Sequence, residues 1–137
     1  MIKGLSHACF HVSDLGQSVS FYRDKLGLPL AFELSLNEGK TQGVYLHVGG
    51  RTFIELFQDT PIPTPKDASY RHICLEVDDI GETVEELRKR GAEVGKISLG
   101  GDQSYQAWLS DPDGNRIELH QFTDKSLQAK ALDRLGQ

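Results

Sequence analysis

An α+β fold built from two tandem βαβββ modules is what this sequence predicts, and three observations predict it. First, Ser6-His7-Ala8-Cys9-Phe10-His11-Val12-Ser13-Asp14 is echoed 65 residues later by Arg71-His72-Ile73-Cys74-Leu75-Glu76-Val77-Asp78-Asp79. Second, Phe53-Ile54-Glu55-Leu56 returns 63 residues later as Arg116-Ile117-Glu118-Leu119. Third, each copy runs through the same succession of period-2 and period-3.6 segments, which read as strands and a helix. At 137 residues and 38% hydrophobic content, the chain has the length and apolar fraction for one domain with a real core.

The elements follow in order. Residues 5–12 alternate in the strand period, and Ser13 or Asp14 then caps an amphipathic stretch carrying Val19, Phe21, Tyr22 and Leu26 that stops at Gly27. Three strand-like runs come next, at 30–36, 41–48 and 51–58, broken by Asn37-Glu38-Gly39 and by Gly49-Gly50. Residues 59–69, with Pro61, Pro63 and Pro65, have no periodicity and read as a semi-extended connector. The second module repeats the order: strand 70–77, helix 80–90 stopped by Gly91, and strands 92–98, 104–110 and 116–122. A turn, Asp111-Pro112-Asp113-Gly114-Asn115, joins the last two strands; it lacks the spaced oxygen ligands of a calcium loop. Residues 124–135 read as a short polar helix with a modest apolar stripe at Leu127, Ala131, Leu132 and Leu135. The whole of 1–137 is expected to be one domain: module one 4–58, linker 59–69, module two 70–122 and a C-terminal helix 124–135.

Strand parity turns this pattern into chemistry, because successive side chains point to opposite faces of a sheet. Ala8, Phe10 and Val12 oppose His7, Cys9 and His11, and Ile73, Leu75 and Val77 oppose His72, Cys74 and Glu76. Ile54 and Leu56 oppose Glu55, as Ile117 and Leu119 oppose Glu118. The helices must cover the apolar face, so two imidazoles and two carboxylates share the other. That donor set suits a divalent metal ion. The expected architecture is therefore a curved mixed sheet around a metal-binding cleft, with helices on the convex face. His11, Tyr45, His47, Phe57, Trp108 and His120 fall on the same inner face and are candidates for lining a substrate pocket.

Composition excludes other classes. A net charge of −5 with no Lys/Arg-rich stripe gives no footprint for nucleic acid or an anionic membrane. No apolar run reaches the roughly 20 residues needed to span a bilayer, and the N-terminus has no leader-like apolar segment, so a cytoplasmic location is expected. Cys9 and Cys74 form no Cys-x-x-Cys pattern and are expected to be reduced, buried thiols.

The chain resembles the vicinal oxygen chelate superfamily, the glyoxalase, bleomycin-resistance and extradiol dioxygenase group, over residues 4–122. The resemblance rests on His7-x-x-Phe10-x-Val12-x-Asp14 with Phe21-Tyr22 and Leu26-Gly27, on His72-x-x-Leu75-x-Val77-x-Asp79, and on Asp111-Pro112-Asp113-Gly114-Asn115-Arg116-Ile117-Glu118. It implies His7, Glu55, His72 and Glu118 as metal ligands, the set of bacterial-type glyoxalase I. Nickel, cobalt or zinc are then the expected ions, with manganese or iron as alternatives. It also implies a lactoylglutathione lyase-like lyase or isomerase. Such an enzyme isomerises a hemithioacetal or α-hydroxycarbonyl compound through an enediolate held at the ion, with Glu118 or Glu55 moving the proton. A homodimer acting on a small-molecule substrate is expected on the same ground. An extradiol dioxygenase would use only His7, His72 and Glu118, where Glu55 crowds the open positions. Glutathione-type glyoxalase I carries Arg and Asn where this chain has His11 and Asp59, which leaves a different thiol or a small hydroxycarbonyl as substrate. A CoA-ester epimerase, which favours Gln where Glu55 stands, a three-ligand fosfomycin-modifying transferase and a non-catalytic antibiotic-binding protein are the alternatives.

Overall fold

The computed structural model describes residues 1–36, 39–61, 63 and 65–137. Its elements follow the expected order: β1 (His7–Val12), α1 (Leu15–Val19), β2 (Leu30–Leu34), β3 (Gly43–Gly49), β4 (Thr52–Gln58), β5 (Ile73–Glu76), α2 (Ile80–Lys89), β6 (Ser98–Leu99), β7 (Tyr105–Ser110), β8 (Arg116–Gln121) and α3 (Leu127–Leu135). The strands form two four-stranded sheets, ordered β1-β4-β3-β2 and β5-β8-β7-β6. In each, the first strand of the module runs parallel to the last and the rest are antiparallel. The duplication read from sequence is thus a duplication of topology. The chain divides into two compact units, Met1–Thr64 with Asp111–Gly114, and Pro65–Ser110 with Asn115–Gln137. The expected breaks at residues 37–38 and within the connector at 62 and 64 lie outside the described residues.

Local chemistry sets the element ends. Asp14 and Asp79 take extended backbone and accept hydrogen bonds from Gln17 N (2.9 Å) and Glu82 N (2.8 Å), so Asp14 caps its helix as expected and Asp79 caps the second helix in the same way. Gly27 and Gly91 follow the helical segments with φ of 76° and 81°, a left-handed turn that a Cβ would oppose. The first helix changes pitch: after α1 the chain runs as π-helix from Ser20 to Lys25, with Leu26 N donating to Phe21 O at 3.0 Å. Consecutive Phe21 and Tyr22 are both buried within it.

The expected strand at 92–98 is largely absent. Only Ser98–Leu99 pairs in ladder register with β7. Before it, Gly95 N donates to Trp108 O at 2.8 Å, one residue out of step with that register, while the Val94 and Gly95 carbonyls accept from the Arg88 guanidinium of α2 at 2.8 Å and 2.9 Å. The C-terminal helix starts at Leu127 rather than 124, because Ser126 is drawn into side-chain bonding with Ser104 at 2.8 Å.

Cores form as parity requires. In the first unit Phe10, Val12, Val44, Leu46, Ile54 and Leu56 are buried together with Phe21 and Tyr22. In the second unit Ala107, Leu109, Ile117 and Leu119 are buried with Ile80, Val84 and Leu87 of α2. The opposite sheet faces carry the polar residues. Cys9 and Cys74, expected to be buried, are exposed, because they share the face that the helices leave uncovered.

Candidate functional site

The site residues are placed by register. In the first sheet Cys9 pairs with Glu55, and Tyr45 with Glu55, so His7, Cys9, Tyr45 and Glu55 stand on one face. In the second, Cys74 and Trp108 both pair with Glu118. His72 sits immediately before β5 rather than inside it.

Each unit closes its own His–Glu pair. His7 Nε2 lies 3.4 Å from Glu55 Oε2, and His72 Nε2 lies 3.1 Å from Glu118 Oε2. Each imidazole meets an aromatic ring edge-on: Tyr45 at 5.4 Å from His7 and Trp108 at 4.8 Å from His72. The side chains of Glu55 and Glu118 are only 15% and 13% exposed, and among the described residues each has a histidine as its sole ion-pair partner. A largely shielded carboxylate demands positive charge, by pairing or by metal coordination. Two donors each about 2.1 Å from one ion stand about 3.0 Å apart at a right angle and about 3.4 Å apart at the tetrahedral angle. Both pairs fall on such an edge, so their chemistry and spacing fit adjacent ligands of a divalent ion. Among the described residues no group of three or more His, Cys, Asp or Glu side chains gathers around a common point. Each unit therefore presents its own pair of donors.

The thiols beside these pairs are kept protonated. Partial desolvation of the sulfur, reinforced by the Glu55 carboxylate, pushes Cys9 up to about 11, and partial desolvation followed by the Glu118 charge pushes Cys74 up to about 12. Neither offers thiolate at neutral pH. The Tyr45 hydroxyl is likewise raised, first by desolvation and then by Glu55.

The remaining candidates are dispersed. His11 Nδ1 pairs with Asp59 Oδ2 at 3.2 Å and its ring lies 5.8 Å from Phe57, a separate group beyond the His7–Glu55 pair along the strand. His47 is turned to the β3–β4 hairpin, with Nε2 3.2 Å from Gly50 O. His120 is buried and its Nε2 meets Asp102 Oδ2 at 2.9 Å. Three residues escaped the sequence reading. Phe53 and Arg116 each stand two positions before a site glutamate, and the same alternation that found the glutamates places them on that face. Arg116 lies over Trp108, with Cζ 4.3 Å from the ring centroid. Asp102 had no signal, since its link to His120 is a contact between a loop and a strand.

A His–Glu pair in each copy of a duplicated βαβββ topology defines a class, and comparison with known proteins identifies it. The family model described as Glyoxalase/Bleomycin resistance protein/Dioxygenase superfamily matches residues 4–119, and the chain belongs to that superfamily. It is 34% identical over 128 residues to metallothiol transferase FosB of Staphylococcus epidermidis, covering 90% of this chain and 85% of the relative. It is 31% identical over 126 residues to lactoylglutathione lyase of Salmonella typhimurium, covering 88% and 93%. Among solved structures, TnmS3, an antibiotic binding protein from Streptomyces sp. CB03234, aligns with a TM-score of 0.73 at 27% identity over 89% of this chain and 98% of its own. These relatives thus include enzymes of two kinds and a binding protein. No helix among the described residues is long and apolar enough to cross a membrane.

Proposed function

We propose that this chain is a divalent-metal-dependent enzyme of the glyoxalase I type, in which His7, Glu55, His72 and Glu118 hold the ion and a hemithioacetal or related α-hydroxycarbonyl compound is isomerised. The observation that carries this reading is the repeated pair: the same imidazole–carboxylate edge, 3.4 Å and 3.1 Å long, at equivalent places in both modules. When bound, nickel, cobalt, zinc, manganese or iron would supply Lewis acidity at a substrate carbonyl and so acidify the neighbouring C–H. The chain's own part is proton transfer. Glu118 or Glu55 accepts the proton from one carbon, and a carboxylate returns it to the next, so the product is an isomer with no atom gained or lost. The low exposure of both carboxylates limits exchange of that proton with water. Tyr45 and Trp108 fix the two imidazole planes by edge contacts.

The mutual pairing of His11 and Asp59 supports a thiol other than glutathione, since at those two positions an anionic peptide would meet a carboxylate and no guanidinium. Identity to the FosB relative favours a second reading, transfer of a thiol to an acceptor such as fosfomycin. We propose further that the protein works as a cytoplasmic homodimer, with a solution mass about twice the 15.2 kDa of the chain.

The test is elemental analysis of the purified protein, joined to an isomerase assay with methylglyoxal and a panel of thiols after adding back each metal. Near-stoichiometric metal with isomerase activity supports the reading. Metal with fosfomycin–thiol transfer alone replaces it by the second, and absence of metal uptake overturns both. Glu55→Gln should lower isomerase kcat by about 100-fold or more while the protein still binds metal, as expected for a group that moves a proton.

A further inference from the structure

The two half-sites differ in the residue that precedes each carboxylate on the same face. In the first module it is Phe53, two positions before Glu55; in the second it is Arg116, two positions before Glu118. One half is flanked by an aromatic ring and the other by a fixed cation. Register places Ser110 opposite Arg116 and Trp108 opposite Glu118, while Ile117 and Leu119 are buried on the reverse face. Arg116 and the His72–Glu118 pair therefore stand on one side of the sheet.

A single indole connects them. Arg116 Cζ is 4.3 Å from the Trp108 ring centroid, and the same ring meets the His72 imidazole at 4.8 Å with 83° between planes. Arg23, Arg71, Arg88 and Arg90 each donate to a carboxylate or a carbonyl. Among the described residues Arg116, like Arg51 and Arg134, has no such acceptor, and of these three it is the one held over an aromatic ring. Its contact engages a π face, so its capacity to donate two parallel N–H bonds stays available. Holding the guanidinium on the ring also restricts a rotamer-rich stem in advance, which lowers the entropy lost when an oxyanion arrives.

We propose that Arg116, oriented by Trp108, is a specificity-determining residue that binds the oxyanion end of the substrate, a carboxylate or phosphonate, while the reacting end lies at His72 and Glu118. The inference rests on reading those two residues as metal ligands, and it narrows the substrate to anionic acids or adducts of an anionic thiol. A carboxylate or phosphonate matches the guanidinium fork in a way that a neutral hydroxycarbonyl does not.

Trp108 is the chain's single tryptophan, so intrinsic fluorescence reads this site directly. The intact protein would be titrated with lactate, with methylphosphonate and with neutral lactamide, and zinc content would be measured separately by elemental analysis. The expected result is a saturable response to one or both anions and none to lactamide at the same concentrations. Arg116→Gln should weaken anion binding by about 10-fold or more, and Arg116→Lys should retain part of it by keeping the charge without the fork. Zinc uptake should be equal in all three proteins. Lactamide binding as well as lactate, an Arg116→Gln affinity within about twofold of wild type, or no saturable response at all would each overturn the inference. Failure of zinc uptake with Arg116-dependent anion binding intact would instead defeat the proposed metal centre alone.

Discussion

Tyr22 illustrates how much depends on single polar atoms inside this protein. Its ring is fully buried and its hydroxyl donates to Asp111 Oδ2 at 2.9 Å, while Asp111, only 5% exposed, also accepts from Asp113 N at 3.0 Å. The neighbouring Asp113 carboxylate in turn accepts from the Ser13 hydroxyl at 2.6 Å. Tyr22→Phe keeps the ring and removes one donor from a buried carboxylate. Hydrogen bonds to charged groups contribute about 1.5–3 kcal/mol, so the urea midpoint should fall accordingly with little change in slope. Metal uptake should be unchanged, since no atom of the His–Glu pairs is touched. The same turn also shows why a sequence reading stops short. Asp111-Pro112-Asp113-Gly114 is legible as a turn, whereas its side-chain partners Ser13 and Tyr22 lie some ninety or more positions away and leave no local trace.

At the scale of elements, the start of α3 is held by a polar cluster rather than by apolar packing. Leu127 N donates to Asp102 O at 2.9 Å, the Ser104 and Ser126 hydroxyls meet at 2.8 Å, and Thr123 Oγ1 donates to Gln103 O at 2.6 Å. Gln103 itself takes φ of 67°, an unfavourable value for a side chain with a Cβ, which these bonds hold in place. Asp102 links the cluster to β8 through His120. Desolvation works to raise the Asp102 carboxyl, but hydrogen bonds from Ser104 and His120 outweigh it and hold the group below its ordinary 3.8. A depressed carboxyl binds protons less in the folded state than in the unfolded one. Its stabilising contribution is therefore present above 3.8 and is lost as the pH falls below that value. Asp102→Asn should accordingly be less stable than wild type at pH 7, and the gap between the two urea midpoints should shrink below pH 3.8. A constant gap across that range would show that the charge contributes nothing.

For the whole molecule, the proposed four-donor centre makes a prediction about stability as well as chemistry. An ion that binds the folded chain and not the unfolded one stabilises it by mass action, about 2.7 kcal/mol at a free concentration 100 times Kd. Adding zinc or nickel to the apo protein should raise Tm, and a chelator should reverse the rise. His7→Ala and His72→Ala should abolish the shift alike, because each removes one donor of a shared centre. A shift lost in one variant and kept in the other would mean that a single His–Glu half binds the ion by itself.

The amino-acid sequence alone determined the duplicated βαβββ order, the capped and glycine-stopped helices and the face on which His7, Glu55, His72 and Glu118 stand. All of these follow from periodicity and capping, which act over a few neighbouring residues. Tertiary structure decided the rest. It limited β6 to Ser98–Leu99 and set the Val94 and Gly95 carbonyls against Arg88. It drew His120 to Asp102 and set Arg116 over Trp108. Each of these outcomes is a choice among competing partners that meet only once strands and loops distant in sequence have been brought side by side, and no local pattern encodes which partner wins.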